Sequence, residues 1–196
     1  MRTQKNNPGK LILTIIFLSS IIITAGCNGQ KAEAQNVSIT HAKAKASAMD
    51  IHTAVFTGNM EVLKQHIAAG SDLNVKDPIG GSSPLISACL FGKTGMAKAL
   101  IDAGADLKFQ NNDGSTALHT AAFFCRPDIV RLLLNKGVDK TIKNKYGSTA
   151  YETVAGKFET VKSFYESLGK MLGPMGLKLD FAYIEKTRPV IAGMLK

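Results

Sequence analysis

The chain has 196 residues, of which 24 are Lys or Arg and 15 are Asp or Glu, so its formal net charge is +9. With 45% hydrophobic and 20% charged residues, the composition is that of a globular protein of one domain and excludes a wholly disordered chain or a collagen. Three cysteines, Cys27, Cys89 and Cys125, are too few for a disulfide framework.

The start of the chain, residues 1–26, has the pattern of a secretory signal peptide. Basic side chains open the chain at Arg2, Lys5 and Lys10, and an almost uninterrupted apolar run follows over residues 11–25. This run is shorter than the roughly 20 residues that a transmembrane helix needs, which makes a retained membrane helix the weaker alternative. An ordinary signal peptide is a second alternative.

The end of this segment, Thr24-Ala25-Gly26-Cys27, resembles the lipobox of bacterial lipoproteins. That resemblance implies cleavage before Cys27, which then carries the lipid. Thr24 departs from the aliphatic residue that is usual at its position. Asn28 stands where an aspartate retains lipoproteins of enteric bacteria at the inner membrane, so the resemblance implies an outer-membrane anchor that faces the periplasm.

Residues 27–47 are rich in Ala, Lys, Gln and Asn and predict a flexible tether. The positive charge lies mainly beyond the middle of the chain, because residues 126–196 hold thirteen Lys and Arg against seven acids, a net charge of +6. That excess is typical of a solvated surface, or of a surface for an acidic protein partner or anionic lipid. Export argues against nucleic acid as a partner.

Self-similarity with a period of about 33 residues is the decisive pattern. Gly81, Gly114 and Gly147 are equally spaced at this period, and the trios Gly70, Gly104, Gly137 and Ala54, Ala88, Ala121 follow nearly the same interval. Within each unit a glycine-containing turn precedes a short Ala-rich segment, a break and a longer amphipathic segment that ends at a glycine. The order is turn, helix, turn, helix.

These units resemble the ankyrin repeat, whose signature begins Thr-Pro-Leu-His and closes on Gly-Ala-Asp. The chain has Ser83-Pro84-Leu85-Ile86, Thr116-Ala117-Leu118-His119 and Gly104-Ala105-Asp106. The resemblance implies an all-α solenoid of about four helix-turn-helix repeats. We assign the repeats to residues 48–80, 81–113, 114–146 and 147–168.

Residues 169–196 fall outside the repeat pattern. Their apolar residues recur at helical spacings, and Pro189 is suited to the first turn of a helix. We expect a C-terminal helical cap that covers the last repeat, since every solenoid needs capped ends.

Signals of catalysis are weak. Gly92-Lys93-Thr94 resembles the end of a phosphate-binding loop, but Ser87 stands where the motif needs a glycine. His52 and His119 share one repeat position, for which the ankyrin resemblance implies a structural hydrogen bond to a neighbouring unit. No residues have metal-ligand spacing, and we predict neither a cofactor nor a small-molecule substrate nor enzymatic activity. Cys89 and Cys125 are predicted to be buried free thiols.

The predicted binding surface combines an aromatic ladder with the tips of the turns. Ankyrin repeats usually carry variable, often polar residues on the concave face, where this chain has large apolar ones. The aromatic ladder consists of Phe56, Leu90, Phe91, Phe123 and Phe124. The alternative is that some of these rings pack in the interior. The turn tips contribute Lys76, Asp77, Asn111, Asn112, Lys143, Lys145 and Tyr146 as a polar rim.

These features predict a membrane-anchored protein that binds a protein partner in the periplasm. One narrower hypothesis is an immunity or inhibitor lipoprotein that neutralises an exported toxin such as a lipase or cell-wall hydrolase. The other is a scaffold that holds a periplasmic stress-protection enzyme.

Overall fold

A computed structural model describes residues 47–196. The predicted signal peptide, Cys27 and the tether up to residue 46 lie outside the described residues. Regular secondary structure over the described range is entirely helical, with two short 3-10 turns at Phe158–Thr160 and Gly173–Met175. The helices are α1 Ile51–Thr57, α2 Met60–Ala68, α3 Pro84–Leu90, α4 Thr94–Asp102, α5 Ala117–Phe123, α6 Pro127–Asn135, α7 Ala150–Ala155, α8 Lys162–Leu172 and α9 Phe181–Leu195.

A polar cap starts the first helix of every repeat. The side chain of the residue before the helix accepts a hydrogen bond from a backbone N–H in the first turn, which satisfies a donor that has no partner within the helix. These caps recur at the interval of the sequence repeat, and they are Asp50, Ser83, Thr116 and Thr149. The period of the sequence is therefore the interval at which successive first helices begin.

The helices pack in two rows. First helices α1, α3, α5 and α7 lie side by side, and second helices α2, α4 and α6 form a row beside them. Ala54, Ala88 and Ala121 are fully buried where the first helices meet, since a small side chain lets helices approach closely. The core between the rows includes Leu63, Leu85, Leu100, Leu118, Ile129 and Leu133.

The turns between repeats form fingers that are joined by backbone hydrogen bonds. Asn112 N donates to Gly80 O at 2.9 Å, and Lys145 N donates to Asp113 O at 2.9 Å. Gly81 has a φ of 63°, and a Cβ placed on it would lie 2.2 Å from the Oδ1 atom of Asn112. This position needs glycine both for its backbone conformation and for the close approach of the next finger.

The fourth repeat takes its second helix from the end of the chain. α9 packs against α6 and α7, as the second helices of the earlier repeats pack against their neighbours. Ile191 and Leu195 are buried in α9 at the same spacing as Ile129 and Leu133 in α6. α9 therefore caps the stack and also completes its last helix pair.

An inserted segment separates the two helices of the fourth repeat. Pro189 in α9 corresponds to Pro127 in α6 but follows it by nearly two repeat lengths, and the additional residues include α8. α8 runs across the expected boundary between residues 168 and 169. The prediction that Pro189 lies in a first turn is wrong: Asp180 caps α9 by accepting from Tyr183 N at 3.0 Å, and Pro189 lies in the helix interior.

No helix between residues 47 and 196 combines the length and the apolar character that crossing a bilayer requires.

Candidate functional site

Three residues of the aromatic ladder remain partly exposed at the ends of α1 and α3. Phe56 and Phe91 meet edge to face, with ring centroids 5.2 Å apart and an interplanar angle of 87°. Both rings and the side chain of Leu90 are half-buried. Aromatic pairs favour this arrangement because the positive edge of one ring faces the negative face of the other. The first two repeats thus present a paired aromatic surface.

At the third repeat, one ring of the aromatic ladder is buried in the interior. Phe124 is only 7% exposed, and it packs against Phe123 and Tyr165 with centroids 5.2 and 6.5 Å away. The prediction that Phe124 is a surface residue for a partner is therefore wrong. Its physical cause is the C-terminal segment, which covers this position and which the repeat pattern does not contain.

Tyr165 of α8 is the residue that covers the end of α5. Its ring stacks on Phe123 with centroids 4.5 Å apart, and its hydroxyl donates to Phe123 O. Arg188 Nη1 in turn donates to the Tyr165 hydroxyl at 3.1 Å, and Arg188 Nη2 donates to Thr153 O and Gly156 O. Burial raises the pKa of the Tyr165 hydroxyl, which therefore stays protonated.

Phe164 extends the aromatic surface beyond the predicted ladder. Its ring lies 5.7 Å from that of half-buried Phe123 and is tilted by 75°, while 57% of the residue is exposed. Sequence reasoning missed Phe164 because it lies in the inserted segment, outside the repeat register. The sequence signal that could have indicated Phe164 is its position beside Tyr165 in an amphipathic helix.

Two predicted rim residues hold the turns together. Asp77 Oδ1 accepts from Ile79 N and Gly80 N, and Asp77 Oδ2 accepts from Ser82 N, all between 2.7 and 2.8 Å. Burial opposes ionisation of Asp77, but these backbone hydrogen bonds outweigh it and lower its pKa. Asn111 Oδ1 likewise accepts from Asp113 N and Ser115 N. The carboxylate of Asp77 and the amide oxygen of Asn111 thus stabilise the backbone of their own turns.

The remaining rim residues differ in whether their side chains contact the rest of the protein or are exposed to solvent. The side chain of Asn112 lies against Gly81, as described for the fingers. Lys76 Nζ lies 5.9 Å from the centre of the Phe109 ring, at cation–π distance. Lys143, Lys145 and Tyr146 are exposed, with Tyr146 at 76%. Ile79, at the first fingertip, is equally exposed at 75%.

A family model described as "Ankyrin repeats (3 copies)" matches residues 51–144, the range that contains α1 to α6. This segment is a stack of ankyrin repeats. The crystal structure of the ankyrin repeat domain of Bcl-3, an IkappaB family member, matches with a TM-score of 0.51 and 32% identity, over 53% of this chain and 45% of that one.

Two curated relatives share a shorter region. Protein phosphatase 1 regulatory subunit 27 of Homo sapiens is 39% identical over 64 residues, and its counterpart in Mus musculus gives the same figures. The match covers 33% of this chain and 41% of either relative. The similarity thus spans well under half the length of those proteins.

The ankyrin histidines have the structural role that the sequence predicts. His52 Nε2 donates to Val75 O, and His119 Nε2 donates to Ser148 O, each at 3.0 Å. In His119 the Nδ1 atom accepts from Thr116 N, which assigns the ring proton to Nε2 in the neutral form. Burial lowers the pKa of His119, which favours this neutral form. Each histidine joins its first helix to a following turn.

Both cysteines of the described region are buried free thiols, as predicted. Burial raises the pKa of Cys125 to about 11, and it raises that of Cys89 further. Cys125 has a φ of 52° and occupies the repeat position of Gly92. No cluster of ligating side chains suited to a metal ion occurs among residues 47–196. Gly92-Lys93-Thr94 joins two helices, α3 and α4, and does not follow a strand.

Proposed function

We propose that this protein binds a protein partner through the surface around Phe56 and Phe91 while it is anchored to a membrane at Cys27 and faces the periplasm. The observation that carries the proposal is the half-buried aromatic pair at 5.2 Å on two neighbouring ankyrin repeats. Large aromatic side chains that remain partly exposed side by side are typical of the centre of a protein interface.

The N-terminal sequence supports the anchoring and location in this proposal. A basic start, a short apolar run and a cysteine after two small residues are the features of a lipoprotein signal. Replacing Cys27 by Ser should move the protein from the membrane fraction to the soluble fraction of its host. Retention of the Cys27→Ser variant in the membrane would contradict a lipid anchor at this residue.

We propose an enzyme as the partner, either an exported toxin or a resident periplasmic enzyme. Similarity to a protein named as a phosphatase regulatory subunit supports an enzyme partner in both cases. The immunity hypothesis predicts tight binding to one effector and loss of a deletion strain in competition. The scaffold hypothesis predicts an endogenous partner and sensitivity of the deletion strain to oxidant or envelope stress.

Crosslinking in the host tests the binding surface. The full chain with an affinity tag is compared with a Phe56→Ser/Phe91→Ser variant, and captured proteins are identified by mass spectrometry. Val190→Ser is the matched control, since Val190 is 58% exposed on α9. We expect one specific protein to be lost from the double variant and kept by the control. Equal capture by all three proteins would remove the aromatic pair from the interface.

The proposal gives the chain no catalytic role. His52, His66 and His119 are engaged in hydrogen bonds to backbone carbonyls, and the thiols of Cys89 and Cys125 are buried. Hydrolysis of a substrate that disappears when one named residue is changed would overturn this part of the proposal.

A further inference from the structure

The loops that follow the first helices form a basic edge, defined here as residues 58–59, 91–93, 124–126 and 156–157. The first three loops lead to a second helix, and residues 156–157 lead from α7 into the inserted segment. No Asp or Glu occurs in these four loops. Their cations are Lys93, Arg126 and Lys157. Because adjacent packed helices are about 10 Å apart, neighbouring loops that carry these cations recur along the edge at about that interval.

Two of these cations lie beside the aromatic pair. Arg126 Nη2 donates to Leu90 O at 3.2 Å, and a Cβ placed on Gly92 would lie 3.0 Å from the guanidinium carbon of Arg126. A Cβ placed on Gly58 would lie 3.4 Å from Lys93 Nζ. Each cation therefore lies over the glycine of the preceding loop. Lys93 lies near the loop that follows Phe56, and Arg126 lies near the residues on either side of Phe91.

Arg126 has no carboxylate partner within residues 47–196. Its Nε atom is buried and forms no hydrogen bond there, and the nearest acid in the sequence, Asp128, pairs with Arg131 at 3.0 Å. Burial lowers the pKa of Arg126, and the titratable groups that act on it are Tyr183, Cys125 and Cys89. A half-buried guanidinium without a counter-ion carries a desolvation cost that a bound carboxylate would offset.

We propose that the basic edge and the aromatic pair together bind an extended acidic segment of the partner protein, with carboxylates that reach Lys93 and Arg126 and apolar side chains that contact Phe56 and Phe91. An extended chain in the polyproline II conformation rises about 3.1 Å per residue and returns every third side chain to the same face, so carboxylates three residues apart match the spacing of the repeats, about 10 Å. This inference rests on the proposed function and specifies the chemistry of the partner.

A fluorescent synthetic peptide provides the probe. Its sequence contains Asp-Leu-Leu-Asp between Gly-Pro flanks, and its control replaces both Asp residues by Asn. Binding to the full chain in mild detergent is measured by fluorescence anisotropy. We expect the Asp peptide to bind and the Asn peptide to bind about tenfold more weakly or not at all, with affinity for the Asp peptide falling as salt is added.

Matched charge reversals locate the site. Lys93→Glu should weaken binding of the Asp peptide about tenfold, because it replaces an attractive charge by a repulsive one. The side chain of Lys93 forms no capping hydrogen bond to α4, so the substitution should leave the fold unchanged. Lys64→Glu applies the same charge change to an exposed position on α2 and should leave the affinity within about twofold. A urea titration of each variant confirms that both remain folded.

Three results would overturn the inference. One is equal affinity for the Asp and Asn peptides, and another is an equal effect of Lys93→Glu and Lys64→Glu. The third is displacement of the peptide by phosphatidylglycerol but not by phosphatidylcholine in the micelles, which would identify a lipid surface as the occupant. Capture of a host protein that Lys93→Glu leaves intact would refute this inference while the proposed function stands.

Discussion

Removal of the Tyr165 hydroxyl tests how the inserted segment is held. Tyr165 is fully buried, and its hydroxyl joins Phe123 O of α5 to Arg188 of α9. In a Tyr165→Phe variant the ring keeps its stacking on Phe123, so no cavity forms. The substitution removes two hydrogen bonds and leaves a buried carbonyl and a buried guanidinium N–H without that partner.

The expected loss follows from these two bonds. A neutral hydrogen bond contributes about 1 kcal/mol to stability, and one with a charged donor contributes about 1.5–3 kcal/mol. The variant should therefore lose about 3 kcal/mol in free energy of unfolding. For a chain of this length that corresponds to a fall of roughly 10 °C in melting temperature.

Urea denaturation followed by far-UV circular dichroism measures this loss, with Tyr146→Phe as the control because Tyr146 is 76% exposed. We expect the control to stay within about 0.5 kcal/mol of the unmodified protein. A loss below about 1 kcal/mol for Tyr165→Phe would refute the reasoning, since it would mean that the hydroxyl does not connect α5 and α9.

Three further results are expected. Gly81→Ala should destabilise the protein more than Gly137→Ala, by urea denaturation, because both have positive φ but only at Gly81 would the Cβ meet Asn112; equal losses would contradict this. Stability should fall as pH decreases below about 6.5, because the unfolded chain takes up a proton that buried His119 resists, and His119→Gln should flatten the fall in thermal melts over this range. Phe124→Ser should lose about 3–5 kcal/mol in free energy of unfolding, and a near-neutral result would place that ring at the surface.

The sequence was sufficient to predict the repeated part of the fold. The caps Asp50, Ser83, Thr116 and Thr149 and small buried residues such as Ala88 recur in the structure at the repeat interval that the sequence shows. These features depend on local hydrogen bonding and on contacts between adjacent units, which recur wherever the pattern recurs.

The sequence was insufficient where distant segments meet. Burial of Phe124 depends on Tyr165 of α8, which follows it by dozens of residues and lies outside the repeat register. The second helix of the fourth repeat was hidden by the insertion, although Arg188-Pro189 repeats Arg126-Pro127. The bonding of Asp77 and Asn111 to their own turns could not be predicted either, because polarity alone does not separate a free side chain from one that is bonded to its own turn.

The insertion in the fourth repeat carries a small entropic cost and changes how the stack folds. It nearly doubles the sequence separation between successive second helices, as the positions of Thr94, Pro127 and Pro189 show, and doubling a loop costs only about 0.6 kcal/mol in closure entropy. In return it creates contacts between residues far apart in sequence, such as the bond from Cys125 Sγ to Ile184 O. We expect the first two repeats to unfold locally one at a time, and the third repeat, α8 and α9 to unfold together. Amide hydrogen exchange should therefore be stepwise at the N-terminal end of the stack and cooperative at the C-terminal end.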